Sequence, residues 1–295
     1  MTNLRGILLI LFSMAAFAIE DMLIKSLTMD LPTGQILFLL GLGGALAFGL
    51  AAWRRGQPLF RPLLESRTLL IRTLSEGFAA FFFITALSRV DLSITAAVFQ
   101  ATPLAITLGA ALFLGEHVGW RRWSAILLGF AGVLLIIRPG LEGFNPSSLL
   151  VLGAVAAIAV RDLIARKLPP EMSSLVVSMH GFGALIFVGP VALLMQSDRA
   201  LAMDGPQIGY MLGALVVGVS GYLSIVIATR TGDAAVITPF RYTRLIFAMA
   251  LGMLVFAERP DLLTYAGSAL IVASGLYAFL RERRLARQVA PSATA

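Results

Sequence analysis

DLSITAAVFQATPLAITLGAALFLGE, residues 91–116, is a long apolar run broken by Pro103 and closed by a carboxylate. Moved by 142 positions it returns as DAAVITPFRYTRLIFAMALGMLVFAE, residues 233–258. The preceding ALSRVD (86–91) falls on ATRTGD (228–233) under the same shift. Nearer the start, Asp21 with Lys25 reappears as Asp162 with Arg166, shifted by 141, and further along Gly132 matches Gly275 at 143. An offset this constant over most of a chain marks a duplicated unit.

Composition names the solvent. Hydrophobic residues make up 58% of the 295 and charged residues 13%, with a mean hydropathy of +0.89. A water-soluble domain of this size would expose too much apolar surface at that composition, so the chain is polytopic in a membrane. The sequence pI near 10.5 arises from bases in short loops between apolar runs, which is a topology signal and not a nucleic-acid surface. There is no cysteine, hence no disulfide, thiolate metal site or catalytic thiol. Neither a P-loop nor another nucleotide signature appears, and we expect no cofactor.

Ten apolar segments are long enough to cross a core of about 30 Å. They lie near 4–24, 34–53, 68–88, 92–115, 119–138, 146–165, 173–195, 207–229, 234–257 and 262–280, separated by breakers such as Pro32-Thr33-Gly34, Pro139-Gly140 and Pro169-Pro170. The first repeat is expected over 1–140, the second over 141–286, and a disordered tail over 287–295. Arg5, an apolar run and Ala16-Phe17-Ala18 resemble a signal peptide. Cleavage would leave the sixth span without its repeat partner, so an uncleaved first helix is expected.

The bases set the orientation. With the N-terminus in the cytoplasm, one inside loop alone carries Arg54, Arg55, Arg61 and Arg67, while the outside segments hold only Lys25, Arg89, Arg138, Arg199 and Arg259. Both termini are expected in the cytoplasm. Five spans per repeat is an odd number, so the second unit enters the bilayer from the opposite side. Such inverted repeats have two nearly equivalent conformations, one open to each side, with the substrate site at the midplane between them.

These features, with the Gly115-Glu116 and Ala257-Glu258 span ends each followed by another glycine-bearing span, resemble the drug/metabolite transporter superfamily over residues 4–280, most closely its EamA-type ten-helix exporters. Within that group the chain is similar to YddG-like exporters of aromatic and other neutral amino acids. The resemblance implies an all-α membrane protein of two inverted five-helix repeats in the bacterial inner membrane, acting as monomer or homodimer on a small molecule. The second repeat departs from the pattern: Leu245 stands where the first has Pro103, and its proline comes earlier, at Pro239.

Polar residues inside a membrane are costly and usually functional. Glu76 reads either as an intrahelical partner of Arg72 or as a cavity carboxylate. Arg241 and Arg244, three apart near mid-depth, share one face; one suits a substrate carboxylate and the other Glu76. Gln100 and His180 are mid-depth, His180 as a packing residue or a cavity group. Phe78, Phe82, Tyr222 and Tyr242 are candidates for the apolar part of a pocket. Glu20, Asp21, Arg161 and Asp162 are assigned to a gate or to structure, with Asp21–Lys25 and Asp162–Arg166 expected as i,i+4 pairs. Pro103 and Pro239 are helix breaks, and Glu116 and Glu258 are expected to cap the helices that follow them. Runs of small residues (Gly41, Gly43 and Gly44; Gly213 and Gly218; Gly267 and Gly275) mean close helix packing.

Other functions compete with this reading. Gly218-Val219-Ser220-Gly221 matches the serine motif of rhomboid-like intramembrane proteases, but both histidines, His117 and His180, lie upstream of it, whereas that family's lies downstream. Multidrug export, or a channel-like facilitator of the same fold, is the other alternative to amino-acid export.

Overall fold

In lipid a peptide group has no water to bond, so each apolar run must satisfy its own backbone as a helix. The computed structural model describes residues 2–116, 119–169, 171–231 and 234–289, and every regular element among them is helical. In order these are α1 (Thr2–Leu27), α2 (Thr33–Arg54), the short α3 (Arg61–Glu65), α4 (Arg67–Leu87), α5 (Leu92–Phe99), α6 (Thr102–Phe113) and α7 (Trp120–Ile137). There follow α8 (Ser148–Ala165), α9 (Ser174–Gln196), α10 (Gly205–Thr231), α11 (Ala234–Ile237), a 3-10 turn (Thr238–Tyr242), α12 (Thr243–Phe256) and α13 (Leu262–Val289). Ten stretches are long and apolar enough to cross a membrane, the fourth made of α5 and α6 together and the ninth of the 3-10 turn and α12.

The packing carries the symmetry of the repeat. Under the sequence offset α1 corresponds to α8, α2 to α9, α4 to α10 and α7 to α13. In space α1 packs along α10 and α4 along α8, while α2 packs along α9 and α7 along α13. Exchanging the repeats therefore maps the first pair onto the second and each of the other two onto itself, the relation expected of two bundles inserted in opposite senses. α7 and α13 meet backbone to backbone: a Cβ on Gly132 would lie 2.7 Å from the Gly267 carbonyl oxygen, and one on Gly267 2.6 Å from that of Gly132. Gly41 and Gly44 likewise admit α9 against α2.

α13 continues to Val289, so residues 287–289, read from sequence as polar tail, are helical; 290–295 lie outside the described residues. Asp233 and His117 lie outside them too.

Candidate functional site

The site is built on two broken helices. α5 stops at Phe99 and α6 restarts at Thr102 with Pro103 in its first turn; in the second repeat the 3-10 turn, with Pro239 in its first turn, gives way to α12 at Thr243. The prolines do not match between repeats, but the restarts do. Thr102 and Thr243, one register position apart under the repeat offset, start the two restarted helices, and each donates its hydroxyl to the carbonyl three residues back, to Phe99 at 2.5 Å and Phe240 at 2.6 Å. The two breaks also touch, since Gln100 Nε2 donates to the Arg241 carbonyl at 3.4 Å.

Charges gather around this crossing. Arg244 donates Nη2 and Nε to Asp21 Oδ2 at 2.6 and 3.1 Å, and its guanidinium faces the rings of Phe17, Phe83 and Phe99 at 5.4, 5.9 and 5.3 Å. Glu76 is held by Arg161 Nη1 at 2.8 Å and Arg72 Nη2 at 3.2 Å, and Arg161 also bonds Asp162 at 2.8 Å. Both carboxylates thus have cations of their own, as buried charges in low dielectric require. Arg241 differs. Its residue is exposed, and among the described residues no carboxylate lies within ion-pair distance of its guanidinium. Glu20 is half-buried over Gly218, where any Cβ would collide with its carboxylate, and it too has no ion-pair partner among the described residues.

Several expected contacts are not made. Glu76 takes Arg161 and Arg72, not Arg241 or Arg244, because α8 is the helix packed along α4. Asp21 does not pair with Lys25, since α12 brings Arg244 to it. Asp162 does not pair with Arg166, which reaches Glu116 instead. His180 is buried, with Nε2 2.8 Å from the Leu59 carbonyl and its ring edge-on to Phe60, so it anchors the α2–α4 connection. Tyr222 accepts from Ser178 at 2.5 Å and meets Phe48 edge-on, in the packing of α2, α9 and α10. Tyr242 lies against Gly275 of α13, Phe82 packs over Gly153 of α8, and Phe78, 58% exposed, faces outward.

The capping expectation also changes. Glu258 does not cap α13, whose first turn is capped by Asp261 through Thr264 N at 2.9 Å. It reaches across the repeats to the N-terminus of α5, accepting from Leu92 N at 2.6 Å, Ser93 N at 2.9 Å and Ser93 Oγ at 2.6 Å. Lys25 stands 3.8 Å from it and donates to the Val90 carbonyl at 2.6 Å. Asp91, at the N-cap, makes no cap bond; burial, and then repulsion from Glu258, pushes its carboxyl above the usual range, with Lys25 pulling the other way. The repeat equivalents of Lys25 and Glu258 are Arg166 and Glu116, paired at 3.0 Å at the opposite end of the bundle, near the face that carries the start of α1. The two pairs differ in exposure. The Lys25 and Glu258 side chains are 12% and 4% exposed, those of Arg166 and Glu116 51% and 42%. One pair is buried and the other lies largely in solvent.

Residues 4–138 and 145–280 each match the EamA-like transporter family. The chain belongs to it. Among similar proteins, the S-adenosylmethionine uptake transporter of Rickettsia prowazekii is 24% identical over 96% of this chain and 95% of its own. A riboflavin transporter of Vibrio cholerae is 31% identical over 65% of this chain and 64% of its own. The pseudopaline exporter CntI of Pseudomonas aeruginosa PAO1 is 27% identical over 90% and 93%. A protein crystal structure superposes with a TM-score of 0.59 at 22% identity, covering 96% of this chain and 98% of its own, a likeness of fold. The protease motif fares differently. Ser220 Oγ donates to the Val217 carbonyl at 3.0 Å, and His180 is engaged at Leu59, so the two do not meet.

Ser93, Phe17 and Phe99 were not foreseen as site residues. A signal did exist for the Lys25–Glu258 contact: positions 25 and 166, and 116 and 258, are related by nearly the same offset. A two-fold axis that joins one pair must join the other.

Proposed function

We propose that this protein is a secondary transporter of small metabolites, most simply neutral amino acids moved outward across the bacterial inner membrane by alternating access. The relatives carry chemically different cargoes, so the choice rests on the chemistry of the site. The observation that carries it is Arg241, an exposed residue at the crossing of two broken helices with no carboxylate within ion-pair distance among the described residues. A guanidinium suits a carboxylate through two parallel hydrogen bonds. The N-termini of α6 and α12, which start at the same crossing, add positive dipole ends. Arg244, matched to Asp21, holds α1 to α12 in this reading. Glu76 with Arg161 plays the same part between α4 and α8.

Loop bases favour both termini in the cytoplasm. In that frame the buried pair of Lys25 and Glu258 faces outward and the solvated pair of Arg166 and Glu116 faces the cytoplasm, as in an exporter awaiting cargo. Counterflow of labelled neutral amino acids into proteoliposomes tests the proposal. Arg241→Ala should abolish saturable exchange while leaving the thermal unfolding midpoint unchanged; full exchange by that variant would remove Arg241 from the site. Glu20, a carboxylate without an ion-pair partner among the described residues, supports a second reading, a cationic cargo. Exchange of organic cations but not of amino acids would select it.

A further inference from the structure

Between α2 and α4 the chain folds back along the bundle. α2 passes Met179 of α9 at Gly49, where a Cβ would lie 3.2 Å from the Met179 sulfur, and continues to Arg54. At Leu59 the chain is back at that level: the Leu59 carbonyl stands 2.8 Å from His180 Nε2, and the Phe60 ring meets the imidazole edge-on. Leu59 also packs with the cluster that holds Leu175, Val176 and Met179 of α9. The spanning stretch of α9 begins at Ser174, so His180 lies about 9 Å inside that boundary. The connection is an elbow pinned at the depth where headgroups give way to acyl chains, and α3 carries it on to α4.

Its outer surface is half apolar and half basic. Phe60 and Leu64 are 68% and 85% exposed, and Trp53, at the end of α2, is exposed beside them in the chain. Tryptophan is favoured at this depth. The same stretch carries Arg54, Arg55, Arg61 and Arg67, all exposed, against a single carboxylate, Glu65. Glu65 is taken by Arg61 at 2.8 Å. Arg54, Arg55 and Arg67 have no carboxylate within ion-pair distance among the described residues. Apolar side chains at the acyl boundary with unpaired arginines next to them fit a lipid of negative headgroup, since each arginine near the surface adds its own attraction.

We propose that this elbow binds an anionic phospholipid, with Trp53, Phe60 and Leu64 against its acyl chains and Arg54, Arg55 and Arg67 around its headgroup phosphate. Because Leu59 is fastened to His180, a lipid held here also steadies the join of α2 and α4 on α9. Native mass spectrometry of the full-length protein with phosphatidylglycerol or phosphatidylcholine tests this on three double variants. Arg54→Gln with Arg55→Gln removes two of the unpaired arginines. Arg199→Gln with Arg259→Gln removes the same charge from exposed positions at the opposite end of the bundle. Phe60→Ser with Leu64→Ser keeps the charge and removes the apolar contact.

We expect the wild type to retain phosphatidylglycerol over phosphatidylcholine. Retention should fall about five-fold for each arginine removed at the elbow, stay at the wild-type level in the Arg199 and Arg259 variant, and fall again in the serine variant. All six positions are exposed, so the unfolding midpoints in lipid-free detergent should agree closely. Equal phosphatidylglycerol retention by the two arginine variants overturns the proposal, as does wild-type retention by the serine variant. Displacement of the lipid by millimolar inorganic phosphate would also overturn it, assigning the arginines to a soluble anion.

Discussion

Glu258 and Ser93, from different repeats, close one end of the bundle: the carboxylate accepts the Ser93 amide at 2.9 Å and its hydroxyl at 2.6 Å. The same carboxylate takes the Leu92 amide at 2.6 Å, so the end of one broken span caps the start of the other. A charge-assisted bond to a helix N-terminus is among the stronger contacts a side chain makes. Lys25, 3.8 Å away, brings α1 into the same junction. The matching junction at the other end has its ion pair, Arg166 with Glu116, largely in solvent. Cycling between faces would require these two junctions to exchange their burial.

Glu258→Ala leaves the Leu92 and Ser93 amides without their acceptor, each unsatisfied buried group costing about 1–3 kcal/mol. The sealed end should open more often. The chain has no cysteine, so a single Cys placed at Val90 reports this directly: maleimide should label Val90→Cys slowly, and Val90→Cys with Glu258→Ala about ten-fold or more faster, the ratio that 1.4 kcal/mol implies. Equal labelling rates would show that Glu258 does not hold the end shut.

Removing the Arg244 guanidinium strands Asp21, which is 3% exposed. Breaking a buried pair from one side costs about 3–5 kcal/mol. Arg244→Ala should therefore lower the unfolding midpoint markedly, and Asp21→Asn added to it should recover a substantial part. From sequence, Arg244 is one of two arginines suited to a substrate carboxylate. A stable Arg244→Ala protein that has lost only exchange would support that role over the structural one.

Much of the architecture is legible in the sequence, because hydropathy and the repeat offset report the one constraint lipid imposes on a backbone. The spans, their pairing into repeats and the two helix breaks follow from it. Side-chain partners do not, because local spacing competes with contacts from distant helices. Asp21 and Lys25 are one turn apart on α1, yet Arg244 and Glu258 take them. Arg241 and Arg244 look alike from sequence, both three-apart arginines at mid-depth. Only the packing of α1 against α12 tells them apart, giving Arg244 a carboxylate and leaving Arg241 without one among the described residues. Where the repeat itself carried the information, as for Glu116 and Glu258, symmetry would have been the better guide than capping rules.

Asp261 should confer a stability that is independent of pH in the neutral range. The bond from Arg138, followed by that from the Thr264 amide, holds its carboxyl at about 2, below its ordinary 3.8. A depressed carboxylate contributes in full above its unfolded value and loses that contribution as pH falls through the folded one. The midpoint difference between wild type and Asp261→Asn should thus be constant from about pH 5 to 8, shrink below about 4 and vanish near 2. A difference that changes between pH 6 and 8 would mean that another group governs this junction.

The α7–α13 contact sets how rigidly the repeats are joined, and its geometry allows a sharp test. A Cβ on Gly132 meets the Gly267 carbonyl oxygen at 2.7 Å and the Ile271 side chain at 3.0 Å. Backbone cannot rotate out of the way as a side chain can, so Gly132→Ala must push the two helices apart, and overpacking of this kind costs about 1–3 kcal/mol. Gly183 of α9 is the control. A Cβ there has nothing within 4 Å, and alanine is the better helix former by about 1 kcal/mol. Gly132→Ala should lower the unfolding midpoint in detergent while Gly183→Ala leaves it level or raises it. Similar midpoints for the two variants would show that α7 and α13 do not meet as closely as their glycines imply.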